Sequence, residues 1–128
     1  MTVDDVLEAN DAFYRAFNQK DADAMDAIWA RSVEVGCIHP GWNVLRGREP
    51  VLESWRGILG NPVQPRIMTG GAAAAFIGDT AIVTCRELVA GSPLAATNVF
   101  VLEDGAWKIV HHQSGPVSMV GHSGRGEE

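Results

Sequence analysis

The hydrophobic period of this sequence changes once, near Gln64, and the change limits the fold to helices first and a sheet second. Ahead of Gln64, apolar residues recur at three- and four-residue steps, the spacing of one helix face. Val3, Val6, Leu7, Phe13 and Phe17 predict a helix over 3–17, opened by Thr2 and Asp5 in a capping-box pattern. Asp4, Asp5 and Glu8 suit the positive end of its dipole. Asp21 caps a short second helix carrying Met25, Ile28 and Trp29. Glu34–His39 reads as a strand, ended by His39-Pro40-Gly41. A third helix covers Arg48–Leu59, with Pro50 in its first turn and Val51, Leu52, Trp55, Ile58 and Leu59 on its buried stripe. Beyond Gln64, strands are predicted at Pro65–Ile77, Thr80–Val89, Leu94–Glu103 and Ala106–Ser114. Gly78-Asp79, Gly91-Ser92-Pro93 and Asp104-Gly105 separate them, and the last is a strong two-residue hairpin signal. Ala72–Ala75 is a weak strand former, so a bulge is expected near Gly70-Gly71. The order predicts an α+β fold, three helices packed on one side of a curved, mainly antiparallel sheet. One domain is expected over 1–120, followed by a disordered tail at 121–128 that is rich in Gly and charge.

A chain of 128 residues buries about two-thirds of its unfolded surface, so it needs no metal or disulfide staple. The net charge of -6 argues against a cationic nucleic-acid face and disfavours anionic membrane surfaces. No apolar run approaches the ~20 residues of a membrane span. Acids occupy the N-terminal positions where a signal peptide needs basic and then apolar residues, which makes the cytoplasm the default compartment. Cys37 and Cys85 lie in apolar, strand-like runs and read as reduced, buried thiols, with a disulfide left open.

The element order resembles the nuclear transport factor 2-like superfamily over nearly the whole chain. Two stretches carry a closer resemblance, to SnoaL-like (polyketide-cyclase-like) domains and to the association domain of calcium/calmodulin-dependent protein kinase. One is Val44-Leu45-Arg46-Gly47-Arg48-Glu49, leading into Val51–Trp55. The other runs from Thr97-Asn98-Val99-Phe100 through Asp104-Gly105-Ala106-Trp107-Lys108-Ile109-Val110-His111 to Ser114-Gly115. The resemblance implies a cone-shaped fold with a pocket. The kinase association domain implies pocket positions at Arg86 and Asn98; in that family the second is usually basic, and here it is Asn. Isomerase-like members keep a catalytic carboxylate near the position of His39 and a phenol near that of Tyr14. That chemistry also needs an acidic partner on a strand. Asp is absent from every predicted strand interior, and Glu87 falls on the face opposite Arg86, so the isomerase mechanism is not carried over.

Strand alternation sorts the remaining candidates. A two-residue Asp104-Gly105 loop pairs Leu102 with Trp107, Phe100 with Ile109 and Asn98 with His111. The face carrying these large side chains is expected to look toward the helices and the pocket. His112 then lies on the other face, at a subunit contact, and a one-residue slip would exchange the two histidines. Arg86, in the middle of an apolar strand, is expected to recognise an anion with Asn98 beside it. His39 and His111 are the candidate acid/base residues. Trp42 and Trp55 are expected to wall the pocket, with Tyr14 packed so that its hydroxyl reaches a partner. No metal site is expected, because adjacent His111 and His112 point to opposite faces and Cys37-x-His39 lacks further ligands. No phosphate loop or nucleophile elbow is present in the sequence, and no cofactor is expected. These residues point to a homodimer, joined through the sheet face bearing Val83, Cys85, Val99, Val101 and Val110, that binds a small organic molecule, with anions among the candidates. Two functions fit: a cofactor-free isomerase, cyclase or lyase using histidine, or a non-catalytic module for oligomerisation or ligand sensing.

Overall fold

The computed structural model describes residues 2–118, so the tail expected at 121–128 lies outside the described residues. Helix α1 spans Val3–Asn18 and opens as the sequence predicts. The Thr2 hydroxyl accepts from the Asp5 N–H at 3.2 Å, and the Asp5 carboxylate accepts from the Thr2 N–H at 3.0 Å. Helix α2 is Ala22–Ile28, with the Asp21 carboxylate accepting from the Ala24 N–H at 3.0 Å. Helix α3 is Arg48–Leu59. The strands are β1 Gly36–Ile38, β2 Leu45–Arg46, β3 Ile67–Ile77, β4 Thr80–Val89, β5 Ser92–Glu103 and β6 Ala106–Pro116. The two-residue β2 was not anticipated.

One sheet holds the six strands in the order β2-β1-β6-β5-β4-β3. Only the β1–β6 pair is parallel. The helices pack on its inner face, where Phe13, Met25, Trp29, Phe100 and Ile109 are fully buried. This is the expected α+β architecture. The side chains of such a core each contribute about 1.5–3 kcal/mol by leaving water.

Register decides what the inner face carries. Asp104 and Gly105 have φ of 54° and 81°, the left-handed pair of a type I′ hairpin, as expected. Ala90 and Gly91 form a second such turn, with φ of 51° and 84°, in place of the expected Gly91-Ser92-Pro93 loop. It pairs Val89 with Ser92, so Val83 opposes Asn98 and Arg86 opposes Ala95. Paired residues share a face. Val83, Cys85 and Glu87 therefore accompany Asn98 inside, and Arg86 lies outside. This reverses the expected faces of β4: Val83 and Cys85 belong to the core rather than the outer surface.

A second departure lies in the last hairpin. Phe100 opposes Ile109 as predicted, but the next pair is Val99 with His111, leaving Val110 as an extra residue. This bulge flips the face of everything after it. Asn98 pairs with His112, not His111. The bulge expected in β3 does occur, between Gly70 and Ala73. Gly71 there has φ of +66°, and a Cβ added to it would come within 2.8 Å of the Arg86 guanidinium. The outward-facing Arg86 thus lies flat over a glycine bulge.

Candidate functional site

The inner face of the sheet and one side of α1 enclose a chain of buried polar groups. Asn10 and Tyr14 sit one helical turn apart, so α1 presents both to the sheet. Glu87 is 3% exposed. Its carboxylate accepts from the Tyr14 hydroxyl at 2.6 Å and from the Ser114 hydroxyl at 2.6 Å. Asn98 donates through Nδ2 to Asn10 Oδ1 at 2.8 Å and to the Tyr14 oxygen at 3.1 Å. Its Oδ1 lies 2.6 Å from His112 Nδ1.

The direction of each proton follows from the acceptor at the end of the chain. The Tyr14 hydroxyl has one proton, which it gives to Glu87, so its oxygen receives one from Asn98. The Asn98 amide must then turn its oxygen to His112, and His112 must carry its proton on Nδ1. The other ring nitrogen, Nε2, keeps its lone pair and meets no partner among the described residues. Burial raises the Tyr14 phenol well above its usual range, with the Glu87 carboxylate adding to the effect.

His112, Glu87 and Ser114 line a cavity of about 290 Å³. Trp42, Trp55 and Phe17 supply aromatic walls, and Ile58, Ile67 and Val89 aliphatic ones. His39 lines the same cavity from the end of β1. The Trp55 ring packs against both imidazoles, with centroids 4.7 Å from His39 and 5.8 Å from His112. The Ser54 hydroxyl donates to the Val51 carbonyl at 2.7 Å, so its oxygen receives the His39 Nε2 proton at 2.9 Å. Burial pushes His39 down to about 4. Burial, reinforced by the neighbouring His39 and His111, pushes His112 down to about 3. Both rings are neutral near pH 7.

Of the residues singled out from sequence, His39, Trp42 and Trp55 line the cavity, while Tyr14 and Asn98 stand behind it in the polar chain. Arg86 is exposed on the outer face, away from this cavity and from Asn98. His111 is also on the outer face, its ring over Gly36, where an added Cβ would come within 3.1 Å of Nδ1. Its expected place facing the pocket is taken by His112, which is 3% exposed and lies on the inner face. Cys37 and Cys85 are separate, buried free thiols.

The profile of the SnoaL-like domain matches residues 6–119, almost the whole chain. This chain belongs to the SnoaL-like family. Among solved structures, this SnoaL-like chain is similar to a candidate dehydratase of the nuclear transport factor 2-like family from Streptomyces avermitilis. The two are 34% identical over 91% of this chain and 96% of that one, with a TM-score of 0.84. A candidate calcium/calmodulin-dependent protein kinase type II association domain from Thiobacillus denitrificans is 33% identical over 86% of this chain and 93% of that one, with a TM-score of 0.76. Among curated proteins, the F-box protein SKIP8 of Arabidopsis thaliana is 29% identical over 85% of this chain. The chain spans about half of that protein, 48% of its length.

Three polar members of the SnoaL-like site escaped sequence reasoning, Asn10, Glu87 and Ser114, while His112 enters by the exchange of the two histidines that a register slip brings. Glu87 was legible in principle, since reading Ala90-Gly91 as the two-residue loop places it opposite Leu94 on the inner face. Asn10 had a weaker signal, its spacing of three and four residues from Phe13 and Tyr14. Tyr14→Phe tests the chain as a unit. It leaves Glu87 short of one donor and Asn98 short of one acceptor, both buried. Stability in urea unfolding should fall by about 1–3 kcal/mol; an unchanged midpoint would show that these bonds do not matter.

Proposed function

We propose that the cavity binds a small, flat organic molecule and transfers a proton on it without a cofactor, with His112 Nε2 as the base. The observation that carries this reading is the hydrogen-bond chain from Glu87 to His112. It holds Nε2 unprotonated at the wall of an aromatic cavity. Nε2 takes a proton from carbon beside a carbonyl, and the electron pair moves into the carbonyl. The imidazolium then returns that proton in one of two ways. Delivery to another carbon isomerises the molecule; delivery to a departing β-hydroxyl releases water. The candidate dehydratase at 34% identity favours elimination of water. Behind the ring, Asn98 Oδ1 accepts the Nδ1 proton throughout and fixes the tautomer and orientation of the base.

The test uses a panel of cyclic β-hydroxy ketones of one and two rings. Dehydration is followed by the absorbance of the conjugated enone, and exchange at the α-carbon by proton NMR in deuterated water. Acceleration over buffer is expected in at least one assay. No acceleration of either process across the panel would remove the reading.

The outer sheet face favours a second role alongside the first. Val99, Val101 and Val110 form a half-buried apolar stripe there, continued by half-buried Ile82 opposite Val99. The similarity to a candidate kinase association domain supports an assembling face. We infer that this face pairs two copies of the chain. Sedimentation should give a dimer at micromolar concentration, and Val101→Glu should yield a monomer of unchanged helix content; a monomeric wild type would end this idea.

A further inference from the structure

The polar wall of the cavity is built almost wholly of acceptors. Glu87 offers carboxylate oxygens. Ser114 has given its proton to Glu87, so its oxygen retains only lone pairs toward other partners. His112 has given its proton to Asn98, which leaves Nε2 as a lone pair. His39 has likewise given its proton to Ser54. The donors among the lining residues lie elsewhere. Trp42 sits on an exposed loop at 49% exposure, Gln64 is half-buried, and the Trp55 indole N–H is packed out of reach of solvent. Among the described residues, no Lys or Arg lines the cavity.

Such a wall discriminates by chemistry. A carboxylate ligand is acceptor-only and negatively charged. Here it would lose its water, gain no donor from the inner wall and lie beside Glu87. A hydroxyl carries the donor that the wall lacks. The volume suits one or two rings, because about 290 Å³ is roughly twice a 150 Å³ apolar cavity known to accept one benzene ring. We propose that the ligand of this cavity is an uncharged, one- or two-ring molecule bearing a hydroxyl group that donates to the wall formed by Glu87, Ser114 and His112, and that carboxylates are excluded. The neutrality of both histidines strengthens the exclusion, since neither supplies a counter-charge near pH 7. This specificity rests on the small-molecule reading of the cavity. It replaces the anionic ligand expected from Arg86.

Three probes of one shape separate the terms: 2-naphthol, its methyl ether 2-methoxynaphthalene, and 2-naphthoate. Each is titrated into the wild-type protein at pH 7 by calorimetry. Affinity for the naphthol should exceed that for the ether by about tenfold, because the ether leaves buried acceptors without a donor. It should exceed that for the carboxylate by at least about tenfold, the ion having no partner for its charge. Naphthoate binding as tightly as naphthol overturns the exclusion and leaves the small-molecule cavity standing. Equal affinity for naphthol and its ether overturns the hydroxyl requirement. Binding of none of the three overturns this inference and the small-molecule reading together. Failure of the dehydration and exchange assays alone touches the chemistry but not the binding preference.

Discussion

Acidification from about pH 7.5 to about pH 5 should cost this fold about 4 kcal/mol through two histidines alone. His39 and His112 are held near 4 and near 3, below the ordinary value of 6.5 that they regain on unfolding. Above 6.5 both states hold them neutral and nothing is lost. Below it the unfolded chain takes up protons that the folded chain refuses, so stability falls with pH until the folded values are reached. At about pH 5 the gap is roughly 1.5 units, worth about 2 kcal/mol for each ring. Both are buried, so solvent screening takes little from this figure. Urea unfolding at the two pH values gives the total. The decisive comparison is made within variants: His39→Gln and His112→Gln should each remove about 2 kcal/mol of the pH-dependent change, whatever they do to stability at neutral pH. If the double variant keeps the full wild-type pH dependence, the two rings are not the source.

The elements of this fold were legible because its local signals agree with one another. The capping box at Thr2 and Asp5, the Asp21 cap and the Asp104-Gly105 turn each act within a few residues, and each is found where the sequence puts it. The site depends instead on parity, which is a non-local property. The family resemblance placed Arg86 in the pocket with Asn98, and the Ala90-Gly91 turn, found where a Gly91-Ser92-Pro93 loop was expected, puts Glu87 on that face instead. The expected placement made an anion-binding cation out of a residue lying over Gly71, and concealed the acidic partner of Tyr14. The bulge at Val110 likewise exchanged the faces of His111 and His112. It has no local marker, because Ile109-Val110-His111-His112 contains neither glycine nor proline. A bulge of this kind is set by what the strand must cover: Ile109 and His112 both reach the core, three residues apart instead of an even number.

The two adjacent histidines make the sharpest test of the proposed chemistry. They are neighbours in sequence and the same residue type, so they differ only in the face they occupy. His112→Gln should lower kcat/KM for the dehydration by about 10²–10⁴, the usual worth of a positioned base. Glutamine retains a group able to donate to Asn98, so the polar chain keeps its occupant while Nε2 is gone. His111→Gln removes an imidazole from the outer face and should leave kcat/KM within about twofold, because no atom of it reaches the cavity. Asn98→Leu separates base from support. It deprives the Nδ1 proton of its acceptor, frees the ring to take the other tautomer, and lowers kcat more than it raises KM. Nitrogen-15 chemical shifts of His112 report the tautomer directly and do not depend on turnover. The Nδ1-protonated form should dominate in the wild type and lose that dominance in Asn98→Leu. Loss of activity in His111→Gln with retention in His112→Gln would place the base on the opposite face and refute the mechanism.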